Sequence, residues 1–216
     1  MSGIIVFGAG GRAGRAVVSE ARARGHAVTA VVRDPARHAG LAADRDVRVA
    51  AGDVTDAEQV AELAAGHDAA VHAAVDLAVP PGEFFPAAAR ALVAGLGRAG
   101  VGRLVVVGLS SVLPTAAGGL LMDTPGYPQE YRFFYLGHAA GNEALREAEG
   151  APDWLVLSPA GDFDHTGPSA GGYRFVTGDA DSRITYPDLA VALLDEIDAP
   201  RHHRAHLGVE GTTPGT

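Results

Sequence analysis

A chain of 216 residues that is 47% hydrophobic is long enough to bury one full core, so a single domain is expected. Its 17 basic against 26 acidic residues give a formal charge of -9 with no basic block, which excludes a nucleic-acid backbone as partner. Without cysteine there is no disulfide framework or thiolate chemistry, and without an apolar run of about 18 residues there is no membrane span, so a cytoplasmic location is expected.

The chain opens with the β-branched run GIIVF at Gly3–Phe7, then the glycine-rich GAGGRAG at residues 8–14, then an alanine-rich helical stretch over 12–24. Further strands are expected at Ala27–Val32, Val47–Ala51, 69–73, Arg103–Val107 and 154–157, and helices between them over 56–65, 83–99 and 130–149. A last helix over 188–197 and a short strand over 206–209 follow. Nearly continuous apolar strands that alternate with helices imply a parallel sheet covered on both faces, a doubly wound α/β architecture. The domain is expected to span residues 1–210, with small substrate-side elements toward its C-terminal end and a tail at 211–216. Thr55 with Glu58 reads as a capping box, and Gly25, Gly66 and Gly100 as left-handed helix ends. The loops 114–128 and 161–172, rich in Pro, Gly, Asp and Thr, are expected at the carboxyl ends of strands, where ligands bind in this architecture. Pro80–Pro81–Gly82 is read as a loop at the pocket mouth, and Phe84, Phe85 and Trp154 as core.

A strand before it and a helix after it turn the glycine pattern at residues 8–14 into a phosphate-binding turn. Gly8 allows the tight bend, Gly11 lets the backbone approach a pyrophosphate, and Gly14 lets helix and strand close together; Gly10 and Ala13 complete a spacing that fits both short-chain dehydrogenase and Rossmann turns. The dinucleotide is expected to be NADP(H), with NAD(H) as the alternative. Arg33 ends the second strand, where an arginine accommodates a 2′-phosphate, and Arg12 inside the turn could flank the same group. Asp34, one residue later, offers the competing ribose contact. Asp53, after the third strand, either reaches the adenine edge or caps a helix.

With VFGAGGRAG, AVVRDP, GDVTD, HDAAVHAA and VGRLVVVG, and then HAAGNEALR and DWLVLSPAGDF, the chain resembles the atypical short-chain dehydrogenase/reductase superfamily. Within it, the chain is similar to the NAD(P)H-binding proteins labelled NADH-flavin reductases, relatives of flavin and biliverdin-IXβ reductases. The resemblance runs from Gly3 to about Val209. It implies a single Rossmann-like domain that holds a substrate against the nicotinamide above the carboxyl edge of the sheet. It also implies that Asp53 and Val54 contact the adenine, that Ala73, Ala74 and Val75 line the cofactor, and that Pro159 and Ala160 close over the nicotinamide. Many relatives carry GATG where this chain has GAGG, so Gly10 stands in place of a threonine and costs a hydroxyl.

Many short-chain dehydrogenases use serine, tyrosine and lysine. Ser110 follows the fifth strand and Tyr135 lies 25 residues later, but the position four residues beyond Tyr135 is Ala139, and the chain contains no lysine. Tyr135 then reads either as catalytic or as a packed aromatic. His138 matches a histidine of the flavin-reductase-like relatives; its ordinary pKa suits proton traffic, although a lone helical histidine is more often structural. His202, His203 and His206 are read as a solvated loop without a carboxylate partner, so no metal site is expected. Asp162, Asp164 and His165 are read either as substrate contacts or as turn formers. Hydride transfer to a conjugated acceptor needs little side-chain chemistry, which favours an NADPH-dependent reductase of a flavin, quinone or similar small molecule. The alternatives are a non-catalytic NADP(H)-binding redox sensor and an isomerase or epimerase that retains the dinucleotide. No nucleic acid or membrane is expected as a partner, and the oligomeric state is left open.

Overall fold

The structure is a computed structural model that describes residues 1–41, 46–150, 152–169 and 171–212. The strands are β1 (Gly3–Phe7), β2 (Ala27–Val32), β3 (Val47–Ala51), β4 (Ala69–His72), β5 (Arg103–Val107), β6 (Asp153–Pro159), β7 (Asp162–Asp164), β8 (Tyr173–Val176), β9 (Arg183–Thr185) and β10 (Ala205–Gly211). The helices are α1 (Arg12–Ala23), α2 (Ala57–Ala64), α3 (Pro81–Ala99), α4 (Arg132–Arg146) and α5 (Tyr186–Asp198). The main sheet has eight strands in the order β3-β2-β1-β4-β5-β6-β10-β8, parallel except for β8, which runs antiparallel to β10 on the outer edge. A separate parallel pair joins β7 and β9.

Both faces of the sheet are covered because its central strands carry nearly continuous apolar runs. In β1, Ile4, Ile5 and Val6 are fully buried and Phe7 is 1% exposed. Since successive side chains point to opposite faces, that run requires a helix layer on each side. Ile4 and Val6 join Val71, Val105 and Leu155 in the core with α1 and α5, while Ile5 and Phe7 join Ala70, Leu104 and Val156 in the core with α2, α3 and α4. This is the doubly wound, Rossmann-like single domain that the sequence pattern implies. No helix among the described residues is long and apolar enough to cross a membrane.

Several local expectations change. The cap of α2 is Asp56, not Thr55: the Asp56 carboxylate accepts from the amides of Glu58 and Gln59, while Thr55 donates to Asp53. Gly25, Gly66 and Gly100 do take positive φ at the helix ends, near +80°. Helix α3 begins at Pro81, because a proline at the first helical position loses no hydrogen bond, so the expected 80–82 loop is largely helix. Helix α4 is shorter than 130–149 at both ends. Strand β10 runs to Gly211, which takes that residue from the expected tail; residues 213–216 lie outside the described residues.

His202 and His203 lie in the expected loop, but the reading of them as without carboxylate partners is overturned, and His206 belongs to β10. Glu196 of α5 is fully buried, 2.7 Å from Nδ1 of His202, and accepts from Arg103 of β5 at 3.2 Å. Burial alone would raise its carboxyl, but hydrogen bonds from His202 and from the amides of Arg201 and His202 outweigh that and hold it below the usual range. His203 pairs with Asp153 at 2.6 Å, and His206 lies within β10, 2.7 Å from the hydroxyl of Ser158. These contacts fasten the α5–β10 connection to β5 and β6.

Candidate functional site

The strand order reverses direction between β1 and β4, and a cleft of about 540 Å³ opens above the carboxyl ends at that point. Its floor is the turn after β1. Gly8 has φ of +82°, and a Cβ there would lie 2.4 Å from the amide nitrogen of Ala74. A Cβ on Gly14 would lie 2.2 Å from the carbonyl oxygen of Gly8, so both glycines let three backbone segments close on one another. A Cβ on Gly11 would meet only the Gly8 carbonyl, at 3.6 Å. Gly11 caps α1 without a side-chain acceptor, and the amides of Arg12, Ala13 and Gly14 make no backbone hydrogen bond among the described residues. Unpaired amides at the positive end of a twelve-residue helix form a seat for an anion. Gly10 has a structural use as well: the His38 ring packs over it, with Cε1 where a Cβ would be, 2.4 Å away.

Of the expected cofactor residues, Gly8, Gly10, Gly11, Arg33, Asp53, Val54, Ala73, Ala74 and Val75 line this one cleft. Arg33 is 62% exposed and forms an ion pair with Asp76, in the loop after β4. Asp34 is occupied elsewhere: its carboxylate accepts from the Ala36 amide and caps the short 3-10 turn Pro35–His38. Asp53 accepts from both the amide and the hydroxyl of Thr55, which makes it a turn former facing the cleft. Arg12 departs from expectation. Its guanidinium reaches Nδ1 of His165 at 3.1 Å, on the α1–α5 side, and does not line the cleft beside Arg33. Tyr186 approaches the same His165 nitrogen at 3.2 Å. Asp164 accepts from the Thr166 and Gly167 amides, which hold its carboxyl below the ordinary range and mark it as a turn former. Asp76, His38, Glu83 and Phe84 also line the cleft and were missed by sequence reasoning.

Ser110, Tyr135, His138, Pro159 and Ala160 do not line that cleft. Ser110 is 4% exposed on a single 3-10 turn after β5 and shares no hydrogen bond with Tyr135. Tyr135 is 8% exposed and packs with Val112 and Met122, its ring 5.5 Å from that of Tyr127; burial raises its phenol above the ordinary value. Ala139, at the vacant lysine position, packs against the same cluster. The His138 ring lies 3.7 Å from that of Phe85, and burial pushes it down to about 3. His72 and His206 are pushed down to about 4, also by burial. All three imidazoles are therefore neutral at neutral pH. Pro159 is buried and Ala160 fully so, the latter donating its amide to Val209 of β10 at 2.8 Å. The sequence-expected residues thus divide into an open group around the turn and a packed group around α4.

Comparison with known proteins agrees with this geometry. A family model described as NAD(P)H-binding matches residues 8–200. The chain is 35% identical over 214 residues to the uncharacterized protein YwnB of Bacillus subtilis, covering 94% of this chain and 96% of the relative. Among solved structures, a "putative epimerase" from Bacteroides thetaiotaomicron superposes with a TM-score of 0.83 at 29% identity, covering 100% of this chain and 99% of that one. A "putative NADH-flavin reductase" from Streptococcus pneumoniae superposes with a TM-score of 0.76 at 25% identity, covering 98% and 100%. From the turn at Gly8 to the end of α5, and across nearly all of its curated relative, this chain belongs to the NAD(P)H-binding family.

Proposed function

We propose that the protein is an NADPH-dependent reductase that delivers hydride to a flavin, a quinone or a similar planar conjugated acceptor. The observation that carries this reading is the uncapped turn Gly8–Gly14 on the floor of the cleft. A Cβ at Gly8 or Gly14 would collide with the backbone that closes the turn, and the free amides of the first turn of α1 suit a diphosphate. In this reading Gly11 and the amides of Arg12, Ala13 and Gly14 hold the diphosphate. Arg33, the arginine lining the cleft, takes the adenosine 2′-phosphate; Asp53 and Val54 flank the adenine, and Ala73, Ala74 and Val75 guide the ribose toward the β4 edge. Bound nicotinamide supplies the hydride, so the chain itself has to orient the partners and exclude water. Tyr135, a buried phenol, and His138, a half-buried imidazole packed on Phe85 and kept neutral, fit a shell that shapes the site rather than general acids. An isomerase or epimerase calls for a paired acid and base, which Ser110 and Tyr135, without a hydrogen bond between them, do not supply.

One observation favours a second reading. Tyr135, Pro159 and Ala160 are packed away from the cleft, as suits a protein that binds NADP(H) to sense redox state without turning it over. The test follows NADPH absorbance with and without added flavin or quinone. Acceptor-dependent oxidation supports the reductase, and tight binding without oxidation supports the sensor. Arg33→Ala is expected to weaken NADPH binding about tenfold and NADH less than twofold, in line with about 1.4 kcal/mol for a charge-assisted contact. Equal losses for the two cofactors would refute the phosphate assignment.

A further inference from the structure

Arg33 does not stand alone at the rim of the cleft. Its guanidinium is paired with Oδ2 of Asp76, a carboxylate only 18% exposed. Oδ1 of Asp76 accepts the amide of Ala78 at 3.0 Å, so the loop after β4 fixes the carboxylate independently of the arginine. Strands β2 and β4 flank β1 on opposite sides, so the ion pair passes over the Gly8 turn and joins the two banks of the cleft. Of the acids near Arg33 on the β2 and β3 side, Asp34 is engaged with the Ala36 amide and Asp53 with Thr55.

We infer that Asp76 is a cofactor-specificity residue whose carboxylate competes with the adenosine 2′-phosphate for Arg33 and so restrains the preference for NADPH over NADH. The inference rests on the phosphate assignment of Arg33 made above. Only Nη1 of Arg33 is bonded to Asp76, so a 2′-phosphate seated on the guanidinium either displaces that carboxylate oxygen or takes the remaining N–H donors beside it, and in both cases lies within a few ångströms of the like charge. NADH carries no such group and leaves the ion pair in place. The carboxylate therefore acts on one cofactor and spares the other, and selectivity belongs to the pair rather than to the arginine.

Calorimetric titration of the full chain with NADPH and with NADH tests this. Asp76→Asn keeps the oxygen that accepts the Ala78 amide and removes only the charge, and an unchanged melting temperature verifies that the loop is intact. The expected result is NADPH binding about fivefold tighter, with NADH changed less than twofold, the size expected for a partly exposed ion pair. In Arg33→Ala the further change Asp76→Asn is expected to give no selective gain. Equal gains for both cofactors would overturn the inference, because the charge would then act on the shared diphosphate. No change, or weaker NADPH binding, would overturn it too, the latter by making Asp76 a support for Arg33. Arg33→Ala alone separates the two levels. If it loses NADPH selectively while Asp76→Asn does nothing, only the role of Asp76 falls; if it loses both cofactors equally, the phosphate assignment falls and takes the inference with it.

Discussion

The carboxyl edge of the sheet has two ends built on different principles. Around Gly8, Arg33 and Asp76 the cleft is open, its floor is bare backbone, and its rim carries an exposed arginine paired with an acid. Around Tyr135, His138 and Ala160 the same edge is closely packed, with room for a cavity of only about 20 Å³ beside His138, and its imidazoles are held neutral by desolvation. The first end is shaped to receive charge from outside; the second removes charge so that it can be packed. The difference explains why nine of the expected cofactor residues share one cleft while the expected catalytic residues do not reach it.

The strongest way to break this comparison lies at the open end. Gly8→Ala would place a Cβ between backbone atoms of Ala73 and Ala74 at a φ of +82°. Strain at a left-handed position and a clash that neither backbone segment can relieve predict a loss of about 3 kcal/mol in stability and the loss of cofactor binding. Gly11→Ala is the control, since its Cβ meets only one carbonyl, at 3.6 Å. It is expected to keep the melting temperature within a few degrees while weakening NADPH and NADH alike, because in the proposed reading its amide neighbours hold the diphosphate common to both. Denaturant melts with parallel titrations check this; a Gly8→Ala variant as stable as the parent would mean that the turn is not the rigid cradle described.

The closed end gives the next largest effect, read through pH. His72, His138 and His206 have folded values lowered to about 4, about 3 and about 4, below their ordinary 6.5. Between those values and 6.5 the unfolded chain binds more protons than the native one. Their contribution is therefore complete above about pH 6.5 and is lost as pH falls, by up to about 1.4 kcal/mol per pH unit for each histidine. The expected outcome is a melting temperature that is steady from pH 8 to 7 and falls steeply between pH 6 and 5. A flat profile through that range would show that these imidazoles are solvated in the folded chain.

What could be read from the sequence follows the same division. Glycine spacing after an apolar strand was legible because the steric demand is local: only Gly suits φ of +82° at Gly8 and a 2.2 Å approach at Gly14. The buried strands were legible because two-sided burial leaves an unbroken apolar run such as Ile4–Phe7. Asp76 and His38 were not, since each acquires its meaning from a partner brought close by tertiary folding, Arg33 across the cleft and Gly10 beneath the ring. The partner of His202 was missed because Glu196 lies in a helix whose other buried residues are mostly apolar and reads as a surface charge; the signal was its place among Leu193, Leu194 and Ile197. Strands β7, β8 and β9, of three or four residues in a glycine-rich stretch, carry too short a pattern to be seen. Thr55 was preferred over Asp56 as cap because adjacent residues of similar chemistry differ only in backbone conformation.

The smallest expected effect sharpens the comparison at His138. His138 sits on α4 with its ring against Phe85 and its pKa pushed down to about 3, so at neutral pH it is a neutral imidazole, a far weaker acid than imidazolium. A general acid supplies roughly 100- to 10,000-fold in rate, and removing one in use shows a loss of that order. His138→Gln is expected to change acceptor-dependent NADPH oxidation by less than about threefold, well short of that range. It should also make the fall in stability between pH 6 and 5 shallower, because one of the three buried imidazoles is gone. The two measurements pull apart the alternatives. A hundredfold loss of rate with the pH profile unchanged would make His138 a working acid in a site that opens when cofactor binds, and the two ends of the sheet edge would then belong to a single reaction centre.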